Sequence, residues 1–172
     1  MIRLLSIMSN RWTRLILVML IVLSLQTTIF AELRPFGVAA QVVLLFVVAT
    51  GSIFGVAIGS LTGLIAGMMY DFILPTPVGL SSLAMGLAGA TAGLLIYFFD
   101  RPTWWMRLIA IALASLLGEV YFPIAQSIVG IDGWLQLRVI KVAVVVAICN
   151  VAISPLAILV SRWTLTERKS TT

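Results

Sequence analysis

Long apolar runs alternate with short polar interruptions along the chain, the runs falling near residues 15–31, 36–50, 52–70, 79–98, 104–124 and 139–161. A helix that crosses a bilayer needs about 20 mostly apolar residues, and these runs occupy nearly the whole sequence. The pattern therefore predicts an all-α integral membrane protein with six transmembrane helices, forming a single membrane domain over residues 1–172 and leaving no soluble domain of useful size. The second and third runs are separated only by Thr50-Gly51-Ser52, which predicts a tight hairpin there, or one broken span.

Composition agrees with the pattern: 62% hydrophobic residues, 10% charged residues and a mean hydropathy of +1.18 are too apolar to keep a water-facing surface around one core. The net charge of +5 would suggest nucleic acid in a soluble protein. Here the basic residues fall where helices leave the bilayer, so they read as topology signals and lipid-headgroup contacts. An even number of helices puts both termini on one side. Arg3, Arg11, Arg14, Arg101, Arg107, Arg162, Arg168 and Lys169 share that side, against Arg34, Arg138 and Lys141 on the other, which predicts cytoplasmic termini. Trp12, Trp104, Trp105 and Trp163 fall at the same inner interface and Trp134 at the outer one, where amphipathic rings settle. Arg11-Trp12-Thr13-Arg14 before an apolar run resembles a secretory leader, but the run is long and further membrane helices follow, so it reads as an uncleaved anchor.

The chain contains no His and one Cys, Cys149, set in an apolar run as packing; this excludes zinc sites, Cys/His nucleophile pairs and an internal disulfide. There is no nucleophile elbow, phosphate loop or metal-ligand spacing, and Gly79-Leu80-Ser81-Ser82-Leu83 has no His to activate its serines. The expectation is a protein that is not an enzyme and needs no cofactor.

Two features carry the functional reading. Gly51, Gly55, Gly59, Gly63 and Gly67 recur every four residues and form a ridge, while the fourth helix offers Gly86, Gly89, Ala90 and Gly93. Close approach over small residues supplies packing energy where lipid removes the hydrophobic drive, so the third and fourth helices should pack closely. Asp71, the second feature, ends the third helix, where the partial negative charge of the backbone disfavours a carboxylate without a nearby cation. Arg34, next to Pro35, and the pair Arg138 and Lys141 lie on the same outer side and are candidate partners. Asp71 would then fix a shallow outer groove together with Gly79. The plainer alternative is a solvated residue at headgroup level, with Thr76 capping and Pro77 opening the next helix. Glu119 lies close to the outer end of the fifth helix, deep enough that a lone ionised form would cost about 2.5–3.5 kcal/mol.

Arg34-Pro35, Gly59, Gly63-Leu64, Asp71 and Gly79-Leu80 together resemble the bacterial rod-shape-determining MreD family. Met68 stands where that family usually has leucine, and Phe36 where it often has Asn after Arg-Pro. Chain length and helix plan match over nearly the full sequence. The resemblance implies a scaffold or adaptor of the wall-elongation complex in the bacterial inner membrane, supporting rod shape and lateral peptidoglycan synthesis. Its implied partners are MreC, and through it RodA, a penicillin-binding transpeptidase and MreB, with a homo-oligomer as a further option. The MreD plan is also similar to the substrate-capture subunits of energy-coupling-factor vitamin transporters, which keeps a ligand-binding subunit open as an alternative. The first helix lacks the alanine pair at spacing four through which those subunits dock. A lipid or polyprenyl-phosphate flippase-like role has only the mixed outer charges in its favour.

Overall fold

Six helices and no strand make up the described residues of the computed structural model, which are 10–32, 37–73, 77–99, 101–130 and 137–166. In chain order they are α1 (Arg11–Glu32), α2 (Val42–Phe54), α3 (Val56–Asp71), α4 (Leu80–Tyr97), α5 (Trp104–Ile128) and α6 (Leu137–Leu165). Four of them, α1, α4, α5 and α6, are long and apolar enough to cross a membrane. The 13 residues of α2 and 16 of α3 extend only about 20 and 24 Å, short of a hydrocarbon core of about 30 Å.

The shortness of α2 goes with its position. Every residue from Val43 to Ser52 is buried, and Leu45, Val47, Val48 and Ala49 have no exposed surface at all. A helix that is apolar all round belongs inside a bundle, and α2 touches each of the other five helices. The outer helices turn large apolar side chains outward, among them Ile21 of α1, Leu61 of α3, Leu87 of α4 and Ile148 of α6, giving the belt that lipid tails require.

The break between α2 and α3 is not at Thr50-Gly51-Ser52, which is helical and buried, but at Gly55. There φ is +86°, a conformation L side chains rarely adopt, so glycine at this position decides where the chain turns. The turn is a true hairpin: a Cβ added to Gly59 would lie 2.5 Å from the Cα of Gly51, whereas a continuous helix would hold these residues about 12 Å apart. Gly55 was expected within the packing ridge, yet a Cβ there meets nothing within 4 Å. The ridge is therefore folded in two, with Gly51 on α2 and Gly59, Gly63 and Gly67 on α3.

All four of those glycines press against α4. A Cβ on Gly51 or Gly59 would strike the Gly89 backbone, on Gly63 that of Met85, and on Gly67 that of Ser81 and Ser82. From the other side, Gly89 and Gly93 meet the backbones of Gly59 and of Gly55-Val56. This is the expected close pairing of the third and fourth helices, with backbone on backbone. Proline interrupts α5 at Pro123 and α6 at Pro155. Ser154 compensates at the second site by donating its hydroxyl to the Val151 carbonyl, which Pro155 cannot reach with an amide (2.7 Å).

Candidate functional site

Several of the buried or half-buried polar side chains terminate a neighbouring helix. Gln26 of α1 accepts from the Val42 amide at the start of α2 (2.7 Å) and donates to the Ala40 carbonyl (2.9 Å). At the opposite end of the bundle Arg107 donates to the Ser52 carbonyl near the end of α2 (2.6 Å). Arg14 donates to the Trp163 and Thr166 carbonyls at the end of α6 (3.0 and 2.8 Å) and lies over the Trp163 ring. Each cation meets the negative end of a helix dipole. An open groove of about 570 Å³ runs beside Arg14, Arg162 and Trp163 at this end.

Asp71 applies the same rule with the opposite sign. It is only 2% exposed, so it is no solvated headgroup residue. Its Oδ2 accepts from the Gly79 amide (2.7 Å) and the Ser82 amide (3.3 Å), and its Oδ1 accepts from the Ser81 amide (3.0 Å). The unfavourable end of α3 is thus offset by the favourable start of α4. Gly79, the residue preceding α4, has φ +106° and no side chain to cap with, so Asp71 supplies the cap from the preceding helix. Pro77 does not open the helix, which begins at Leu80, and Thr76 lies outside the described residues.

A cavity of about 210 Å³ opens beside this corner, between the start of α2, the end of α3, the start of α4 and the upper half of α5. Its polar lining comprises Gln41, Tyr70, Ser81 and Glu119; Leu44, Ala84, Met85 and Phe122 supply the apolar wall. Two lining side chains hold buried atoms without a hydrogen-bond partner: Oε1 of Glu119 and Oγ of Ser81. Glu119 is 8% exposed and Ser81 1%. Pro123 adds to the excess of acceptors, since it lacks the amide that would ordinarily bond the Glu119 carbonyl one turn earlier. Asp71 and the cavity are linked through Ser81, whose amide Asp71 holds while its hydroxyl lines the cavity.

The structure thus brings Asp71 and Gly79 together, and places Glu119 one residue removed through Ser81. Glu119 lies nine residues before the end of α5, about 14 Å along the axis. Lys141 is exposed in the first turn of α6. Arg34, Pro35 and the side chain of Arg138 lie outside the described residues, as does Trp134. Sequence reasoning overlooked Ser81, Tyr70 and Gln41 in the cavity, and Gln26 and Asn150 elsewhere. The available signal was a lone polar residue within or bordering an apolar run, which in a membrane helix marks a specific contact. Asn150 makes such a contact, donating to the Ser115 hydroxyl between α6 and α5 (2.9 Å).

Among the described residues no group of three or more His, Cys, Asp or Glu side chains is arranged to hold a metal ion. Comparison with protein-family models, curated proteins and solved structures finds no match to this chain.

Proposed function

We propose that the protein is a non-enzymatic membrane scaffold of the bacterial wall-elongation complex, as its resemblance to the MreD family implies. All six helices count as crossings in this reading. The end carrying Arg14, Arg107 and Arg162 faces the cytoplasm, as an excess of arginine favours. The observation that supports the reading is the α3–α4 corner. Gly59, Gly63, Asp71, Gly79 and Leu80, which carry much of the resemblance, converge there on one rigid unit, with glycines seating α3 on α4 and the carboxylate tying their ends. Residues spent on fixing a shape suit a protein whose work is to present a surface. MreC would be met within and just outside the membrane, with RodA, a penicillin-binding transpeptidase and MreB reached through it, and the basic inner groove would meet anionic lipid or a cytoplasmic partner. The test is deletion, scored by cell width and by wall precursor incorporated along the cell cylinder, together with recovery of MreC on the tagged protein from gently solubilised membranes. Rounded or widened cells and co-purified MreC are expected; unaltered width and wall synthesis would sink the proposal.

A second reading, a substrate-binding subunit of an energy-coupling-factor type transporter, is favoured by one observation, the cavity beside Glu119. Recovery of a transporter ATPase and coupling subunit in place of MreC would decide for it.

A further inference from the structure

The cavity beside Glu119 has a chemical bias of its own, independent of which complex the protein joins. Its polar lining offers a carboxylate, a serine hydroxyl, a tyrosine hydroxyl and an amide, and among the described residues no Lys or Arg lines it. The Glu119 Oε1 and Ser81 Oγ are unpartnered, and both residues are more than nine-tenths buried. A buried carboxylate without a donor is costly, far more so than a hydroxyl, and the cost falls when a cationic donor arrives. Water relieves part of such a cost; an ammonium group relieves it with charge-assisted hydrogen bonds. Tyr70 and Phe122 contribute aromatic rings to the same space, and rings also attract an ammonium. Anions are disfavoured by the same inventory, since the amides of the α4 N-terminus are already taken by Asp71.

We propose that this cavity binds a small primary amine, either a free molecule or the amine-bearing headgroup of a lipid, with the ammonium on Glu119 and Ser81 and the carbon portion against Leu44, Met85 and Phe122. The room fits: 210 Å³ equals the share of about seven waters, enough for one ring-sized ligand. Asp71 is a positioning residue for the site, because it holds the turn of α4 that carries Ser81.

The experiment uses the full chain in nanodiscs of phosphatidylcholine and measures binding of benzylamine by calorimetry. Benzyl alcohol, of the same shape but neutral, and benzoate, of opposite charge, serve as controls. Benzylamine is expected to bind about tenfold or more tightly than benzyl alcohol, the difference a charge-assisted hydrogen bond makes, with benzoate weakest. Glu119→Gln should erase the preference for amine over alcohol, and Ser81→Ala should weaken amine binding several-fold. Ala84→Leu, which fills the cavity with carbon and leaves Glu119 in place, should weaken amine and alcohol alike; it keeps the test open if Glu119→Gln fails to fold. Adding phosphatidylethanolamine to the nanodiscs separates the sources, since competition with benzylamine assigns a lipid headgroup and its absence a free amine. Equal affinity for amine and alcohol, or a preference that survives Glu119→Gln, overturns the proposal.

Discussion

Replacing Asp71 by Asn tests whether the α3–α4 corner is held by a carboxylate cap. Four amides at the start of α4 need partners: Gly79, Ser81 and Ser82 donate to Asp71, while Leu80 reaches the Pro77 carbonyl at 3.5 Å. Asn keeps the shape and one acceptor oxygen. If that oxygen serves Gly79 and Ser82, the Ser81 amide then faces an NH₂ group. A buried amide left unpaired costs about 1–3 kcal/mol, and losing the negative charge at a helix N-terminus adds up to about 2 kcal/mol in a buried setting. The sum, about 1–5 kcal/mol, corresponds to a fall in Tm of about 2–20 °C for a chain of this size. Asp71→Ala strands three amides and should cost more. The assay is thermal unfolding in one detergent, with circular dichroism confirming that each variant begins folded. The order wild type, Asn, Ala is expected. Asp71→Asn within about 0.5 kcal/mol of wild type would refute the cap, because surface-like changes fall in that range. Arg34→Ala supplies the contrast: were Asp71 held by an ion pair with Arg34, that variant would lose as much as Asp71→Ala.

Three further outcomes follow from the packing. Gly63→Leu, which drives a side chain into the Met85 backbone, should destabilise by about 3 kcal/mol or abolish folding, whereas Gly86→Ala crowds the Leu64 side chain and touches the Ser60 carbonyl only at ordinary contact distance, and should cost about 1 kcal/mol or less; thermal unfolding of the pair checks the difference. Gly55→Ala, strained at φ +86° with no atom to clash with, should cost about 1–2 kcal/mol through backbone conformation alone, and equal stability would count against the hairpin turn at that residue. Arg14→Lys should cost about 1–2 kcal/mol, since a single ammonium replaces a guanidinium reaching two carbonyls of α6, and hydrogen exchange should rise in the last turn of that helix.

The membrane-type helical plan was legible because apolar residues saturate the chain, so the runs stand out whatever their faces. The α2–α3 boundary was not, since small residues signal a turn and a close helix contact equally well, and Thr50-Gly51-Ser52 serves the contact. Only the backbone angle at Gly55 separates the two uses, and spacing does not encode it. Asp71 stood out in the sequence as a carboxylate expected to need a nearby cation. Its partners are backbone amides, which are present at every position of every sequence and therefore leave no mark. Glu119 was visible for the same reason as Asp71, a charge inside an apolar run, but Ser81 and Tyr70 became its neighbours only through the close seating of α3 on α4.

Glu119 differs in kind from the other buried polar residues. Gln26, Asp71, Arg14 and the half-buried Arg107 each place hydrogen-bonding atoms on the end of a neighbouring helix, with the sign of every charge matched to the dipole it meets, and Arg14 leaves only its Nε over. Asn150 spends its amide on Ser115, leaving one oxygen over, and Thr62 leaves a neutral hydroxyl. Those remainders are small, because a neutral group without a partner costs far less than a carboxylate. Glu119 has no helix end to serve, and its Oε1 is left over beside a cavity rather than within packed carbon. A residue kept only for stability would be better replaced by Leu at that depth, since removing a buried polar group that lacks a partner is favourable. Stability therefore does not explain the carboxylate, and Glu119→Leu should raise Tm while abolishing amine binding; a variant less stable than wild type would show that Glu119 serves the fold after all.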